Sequence, residues 1–160
     1  MRRLPYIAIC LFLCMSVFAQ YTPESYIETY APSAWRIECE YGIPACIVLA
    51  QAILESGYGN SPAARLRNNH FGINHGRTRY GSAEECYEAY AVLLSTSPRY
   101  APLFEIPESD YRGWAHGLQK CGYATDKRYA EKLIIIIERY GLSGCLQVFR
   151  PRMTRICTDF

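Results

Sequence analysis

Between Ile43 and Ser56 the chain reads IPACIVLAQAILES, and Gln51 is the only polar side chain before Glu55. A helix apolar on nearly every face is a buried central helix, not a surface one. The rest of the chain alternates on a helical period. Thr22-Pro23-Glu24 opens a helix with an N-cap, a proline at the first position and an acid in the first turn. Pro32 interrupts that pattern, so a short helix and then a longer one, Ser33 to Tyr41, are expected, with Ala34, Ile37 and Tyr41 on one side and Gly42 as the stop. Pro44 starts the buried helix. Ser61-Pro62 repeats the cap-then-proline signature for one or two turns over 63–66.

Residues 67–73 fit no regular element. Asn74-His75-Gly76-Arg77 reads as a turn, the tip of a small hairpin closing with Thr78 to Tyr80. Ser82 and Glu85 form a capping box for a helix running to Leu94, with Cys86, Tyr90, Leu93 and Leu94 inward. Pro98 and Pro102 bracket a loop carrying Tyr100. Ser109 or Asp110 caps a helix from Tyr111 to Lys120, with Trp114 and Leu118 inward. Asp126 caps a last helix from Lys127 to Tyr140, and beyond Leu142 the pattern ends. The expected fold class is mainly α, one domain, with at most one small hairpin.

The N-terminus carries a different pattern. Arg2 and Arg3 precede an apolar run from Leu4 to Phe18, and Val17-Phe18-Ala19 offers a small residue before Gln20, the layout of a secretory signal cut after Ala19. The run is shorter than the ~20 residues a membrane span needs. Bulky Phe12 and Leu13 stand where a lipid-attachment signal at Cys14 would want small residues. Expected boundaries are therefore 1–19 signal peptide, 20–142 folded domain and 143–160 Cys-containing tail, in an exported protein without stable membrane insertion. Removing Arg2 and Arg3 balances the charges of a chain with 17 Lys+Arg and 15 Asp+Glu. A nucleic-acid binder would show a basic excess. Six of the eight cysteines remain after cleavage, and an even number in an exported chain suggests disulfides. No CxxC spacing and three scattered histidines predict no metal site, and no cofactor is expected.

Glu55 is the candidate for chemistry. It sits in the last turn of an apolar helix, where the negative end of the helix dipole and desolvation both favour the protonated acid. A carboxylic acid held protonated near neutral pH is what a glycosidase uses to protonate a leaving-group oxygen. A bland alternative is a Glu bonded to a backbone amide of the Gly-rich loop Ser56–Ser61.

LAQAILESGYGNS, followed by Asn68-Asn69-His70-Phe71-Gly72-Ile73, resembles the glucosaminidase domain of glycoside hydrolase family 73, the bacterial autolysin and flagellar rod-assembly type. Tyr80-Gly81-Ser82-Ala83-Glu84-Glu85, Ser97-Pro98-Arg99-Tyr100 and Gly122-Tyr123-Ala124-Thr125-Asp126 with Tyr129-Ala130 fit the same family in order. The resemblance covers about Thr22 to Leu142. It implies a lysozyme-like α fold and an endo-β-N-acetylglucosaminidase that cleaves the β-1,4 bond after N-acetylglucosamine in bacterial peptidoglycan glycan strands; a monomer is expected. It also implies Glu55 as general acid, Tyr123 in the cleft near the scissile sugar, and Asn69 and Phe71 shaping the cleft. His70 is expected to be a loop residue, and the many tyrosines to offer stacking platforms for sugars. The family's β-hairpin lobe, often the source of a second acid, is much reduced here: only 74–79 separate Ile73 from Tyr80, and none is acidic. Glu84 and Glu85 are explained as a helix N-terminus. A capping-helix acid, assistance by the substrate's own acetamido group, or glycan binding with little cleavage would each accommodate that lack. A lytic transglycosylase or muramidase is the same-class alternative, and a non-catalytic peptidoglycan-binding module the different-class one.

Overall fold

The structure, a computed structural model, describes residues 20–144; the expected signal peptide and the tail cysteines Cys145 and Cys157 lie outside them. Six α-helices and one 3-10 helix are described: α1 (Pro23–Tyr41), α2 (Ala45–Ser56), α3 (Pro62–Arg67), α4 (Ala83–Thr96), the 3-10 helix Pro98–Glu105, α5 (Tyr111–Lys120) and α6 (Tyr129–Arg139). The fold is mainly α and lysozyme-like. The helix α2 lies at its centre, packed by α1, α5 and α6. Every α2 residue from Ala45 to Ile53 is buried, as its composition requires. Its N-terminus has no side chain of its own to cap it. Glu38 in the last turn of α1 supplies the acceptor, taking the Ala45 N–H at 2.7 Å. No helix among the described residues is long and apolar enough to cross a membrane.

Several local expectations are met by the caps: Thr22, Ser61, Ser82 and Asp110 each accept a backbone N–H at the head of their helix. Others are corrected. Helix α1 runs unbroken through Pro32. The proline is exposed, so the carbonyl it leaves without a donor reaches water, while Tyr30, Ala31, Ala34 and Trp35 bury the helix on either side of it. Glu85 reaches back to the Gly81 N–H, not to Ser82, and Leu93 is exposed on α4. The segment around Tyr100 is a 3-10 helix instead of a loop. Asp126 accepts from the Arg128 N–H and closes a turn, so α6 begins at Tyr129.

The expected small hairpin is absent: no strand occurs among the described residues. Asn74, His75 and Gly76 are consecutively left-handed (φ 54°, 54° and 73°), a path no strand pair can follow. The Asn69 amide takes the groups that a ladder would pair, donating to the Ile73 and Thr78 carbonyls at 3.0 and 3.1 Å and accepting the Ile73 N–H at 3.0 Å. The disulfides suggested by the even cysteine count are found only in part among the described residues. Cys46, Cys86 and Cys121 are free thiols, and Cys39 is disulfide-bonded.

Replacing Asn69 with Ala strips partners from three backbone groups at once, and each buried group left unsatisfied costs about 1–3 kcal/mol. Asn69→Ala is expected to lower the melting temperature and to open 68–82 to limited proteolysis while α1 and α2 stay protected.

Candidate active site

Glu55 occupies the last turn of α2, which Gly57 ends in a left-handed conformation (φ 55°). The carboxyl is half-buried, and its two oxygens meet different surroundings. Oε1 accepts the Tyr129 hydroxyl proton at 3.0 Å. Oε2 faces Gly72, where a side-chain carbon would stand 3.5 Å away. Gly72 is itself left-handed (φ 65°), so both backbone conformation and space favour glycine there. Burial raises the Glu55 pKa above its ordinary value; the Tyr129 hydrogen bond and the Lys132 ammonium oppose it without reversing it. Lys132 is shared with Asp126 through an ion pair. The direction expected from the sequence is therefore found, with desolvation as the main cause.

Tyr123 stacks on Tyr129 at 5.7 Å between ring centroids, and its hydroxyl donates to the Phe71 carbonyl at 3.4 Å. Burial among Tyr129, Tyr90, Glu55 and Tyr100 pushes that hydroxyl's pKa well above its ordinary value, so it stays a donor at any physiological pH. The turn before it is clamped by Arg99, whose guanidinium donates to the Cys121 and Gly122 carbonyls. Phe71 is buried and stacked flat on Tyr90 at 4.0 Å, and Asn69 is buried with its amide engaged by the loop backbone. The structure thus brings Glu55, Tyr123 and the Phe71-Gly72 backbone together. The side chains of Asn69 and Phe71 stand behind that surface. His70 packs into a buried cluster with Tyr26, Tyr30 and Tyr87, its Nδ1 2.8 Å from the Tyr26 hydroxyl, and burial drops its pKa to about 4. The expectation of many sugar-stacking rings is corrected for Tyr26, Tyr30, Tyr87, Tyr90, Tyr100 and Tyr129, all buried in the core.

Residues the sequence reading did not single out complete the setting. Gln51, one turn before Glu55 on the same face of α2, donates to the Tyr129 hydroxyl at 3.0 Å and accepts from the Tyr90 hydroxyl. A lone amide inside an apolar helix was the available signal. Among the described residues, burial, Tyr129 and Lys132 are the influences that set the direction of the Glu55 shift. No group of three or more His, Cys, Asp or Glu converges as a metal site among the described residues. A concavity of about 990 Å³ lies at the opposite end of α2 beside Pro44 and Cys46, with Trp35, Phe104 and Trp114 in its wall.

Within this lysozyme-like helical fold, one desolvated carboxyl stands beside a protonated tyrosine. The family comparison gives the class of protein. The glucosaminidase profile, described as mannosyl-glycoprotein endo-beta-N-acetylglucosaminidase, matches residues 31–142. The chain belongs to this glucosaminidase family of glycoside hydrolases. It is 32% identical over 148 residues to exo-glucosaminidase LytG of Bacillus subtilis, covering 74% of this chain and 52% of LytG. It is 24% identical over 147 residues to the peptidoglycan hydrolase FlgJ of Vibrio parahaemolyticus, covering 74% of this chain and 47% of FlgJ. The chain thus spans about half the length of these curated relatives. Among solved structures, a peptidoglycan hydrolase from Sphingomonas sp. A1 superposes with a TM-score of 0.61 at 29% identity, covering 76% of this chain and 95% of that one. The glycoside hydrolase domain of Salmonella typhimurium FlgJ gives 0.62 at 25%, covering 85% and 98%.

A carboxyl whose pKa is raised by folding makes the folded state take up a proton, so its contribution to stability is full below the unfolded pKa and is lost as pH rises through the folded one. Glu55→Gln keeps an acceptor for Tyr129 and removes the buried charge. The variant is expected to be more stable than wild type at pH 7, with the difference vanishing as pH falls below about 4; urea titrations at the two pH values measure it.

Proposed function

We propose that this chain is an exported peptidoglycan hydrolase, an endo-β-N-acetylglucosaminidase of the cell envelope that acts as a monomer on glycan strands. In this reading residues 1–19 are a cleaved signal, 20–142 the catalytic domain and 143–160 an appended tail. The observation that carries it is the half-buried Glu55 carboxyl, its pKa raised by desolvation, beside the Tyr123 hydroxyl in a member of the glucosaminidase family. Glu55 gives its proton to the glycosidic oxygen as the bond to C1 breaks. The carbonyl oxygen of the substrate's own 2-acetamido group closes on C1, and Tyr123 hydrogen-bonds the oxazolinium intermediate. Water then opens that ring, with the Glu55 carboxylate taking its proton. The lack of any acidic residue from Asn74 to Arg79, where the family's second acid is often found, supports this assisted route over a protein nucleophile. Asn69 and Phe71 support the cleft floor from behind, by holding the loop and the Tyr90 ring. Envelope location follows from peptidoglycan as the substrate of the named relatives. An exo mode is the second reading, favoured by the name of the Bacillus subtilis relative.

Digestion of purified peptidoglycan is expected to yield fragments with N-acetylglucosamine at the reducing end. Anhydro-muramic or muramic-acid ends, read by mass spectrometry, would overturn the glucosaminidase reading, and short fragments released without a fall in mean strand length would select the exo mode. Loss of a general acid costs on the order of 10²–10⁴-fold, so Glu55→Gln should be nearly inactive. Tyr123→Phe should lose about 10²–10³-fold, the effect of removing one donor to a transition-state charge. Substrate assistance further requires the first-formed product to keep the β configuration. An α-anomer seen by NMR in the first minutes would exclude it.

A further inference from the structure

Three buried polar side chains join Glu55 to the far side of the core. The Tyr90 hydroxyl on α4 donates to Gln51 Oε1; Gln51 Nε2 donates to the Tyr129 hydroxyl at 3.0 Å; the Tyr129 hydroxyl donates to Glu55 Oε1 at 3.0 Å. Tyr90 and Gln51 are fully buried and Tyr129 almost so, so water cannot re-pair them. The chain has one polarity. Tyr90 has a single proton and gives it to the Gln51 carbonyl oxygen, which turns the Gln51 NH2 toward Tyr129. A lone pair of Tyr129 is thereby occupied, and its only proton points at Glu55.

We propose that Tyr90, Gln51 and Tyr129 are positioning residues that form a directional relay, fixing Glu55 Oε1 as an acceptor and so placing the acid proton on Oε2, the oxygen that faces Gly72. Without that polarity the neutral carboxyl could turn its proton inward and donate to Tyr129, where no glycosidic oxygen can reach it. The proposal rests on Glu55 being the general acid. Once Glu55 has given up its proton, the Tyr129 bond becomes charge-assisted and stronger, so the relay favours the carboxylate form. The groups facing Glu55 are Tyr129 and Lys132 from α6, Tyr123 from the preceding turn, and the Gly72 backbone from the 68–82 loop; within α2 it shares its inner face with Gln51, and α4 reaches it only through Tyr90. Lys132 is paired with Asp126 outside the relay.

The test is the pH profile of kcat/KM on peptidoglycan for wild type, Tyr129→Phe and Tyr90→Phe, with the Glu55 titration followed by NMR of [13C]glutamate-labelled protein and assigned by its loss in Glu55→Gln. Tyr129→Phe should move the alkaline limb and the Glu55 titration to higher pH and lower the plateau rate. Tyr90→Phe should move both in the same direction although Tyr90 does not touch Glu55, because the freed Gln51 amide can turn over and draw the Tyr129 proton to itself. A merely structural Tyr90 would change melting temperature and leave the titration where it was, and that result overturns the relay. If Tyr90→Phe does not fold, Tyr129→Phe decides alone: an unmoved or downward-shifted titration overturns the proposal. Wild-type cleavage that persists in Glu55→Gln would instead refute the general-acid reading, and the NMR titration would still report on the relay.

Discussion

A carboxyl group at the C-terminal end of a helix buried from Ala45 to Ile53 is the constraint from which the other features follow. Both the helix dipole and the loss of water oppose its ionisation. One neutral donor, the Tyr129 hydroxyl, meets it directly, and Lys132, the cation that acts on it among the described residues, is engaged by Asp126. That balance keeps the acid form accessible while leaving a carboxylate that can still be accommodated. It also dictates packing. Helix α6 must lie across α2 so that Tyr129 reaches both Gln51 and Glu55, and the 68–82 loop must bring a residue without a side chain against Oε2. The requirement at Gly72 is thus electrostatic as well as conformational: an alkyl group 3.5 Å from the carboxyl would desolvate Oε2, the oxygen proposed here to carry the acid proton.

The loop that carries Gly72 is built with side-chain amides where a larger lobe would use a ladder. Asn68 donates to the Tyr80 carbonyl, Asn69 engages Ile73 and Thr78, and Tyr80 donates its N–H to the Arg67 carbonyl. Two adjacent asparagines therefore satisfy the backbone that strand pairing would otherwise serve. The arrangement is short and stiff, and it has a chemical consequence. A segment closed so tightly has no excursion on which to carry a second acid across the cleft, in accord with Asn74 to Arg79 containing none.

Much of this was legible in the sequence because it is local. The caps at Thr22, Ser61, Ser82 and Asp110, the buried α2 and the isolated Glu55 all depend on spacings of a few residues. Pro32 misled because a proline on an exposed helix face leaves its orphaned carbonyl to water, which lessens the cost of keeping the helix, and exposure is a tertiary property. The hairpin misled because turn residues at 74–76 fit a strand connection as well as a clamped loop; the Asn69 hydrogen bonds decide between them. The relay was illegible for a different reason. Tyr90, Gln51 and Tyr129 are separated by 39 and 78 residues, and a tyrosine at a core position of a helical period looks apolar until its hydroxyl finds a partner. The cysteines illustrate the limit of counting: parity suggested pairing, yet burial holds Cys46 and Cys86 as protonated thiols, the first with its pKa raised to about 12.

The economy of charge around Glu55 bears on how the reaction proposed here can run. Cleavage at C1 builds positive charge on the sugar, and a retaining enzyme normally answers it with a carboxylate ~5–5.5 Å from the acid. Here the groups close to Glu55 are tyrosine hydroxyls, which burial keeps neutral, and a shared lysine. Neutral hydroxyls stabilise charge through dipoles and contribute little against a full cation unless a nucleophile disperses it. An acetamido oxygen already bonded to the same sugar does so at no cost in translational freedom. It needs from the protein only a donor or acceptor that holds its plane and an acid whose proton faces outward. A site with one carboxyl, one cleft tyrosine and an inward-locked Oε1 is sufficient for that chemistry, and a second buried carboxylate beside Glu55 would raise the acid's pKa further and oppose its release of the proton.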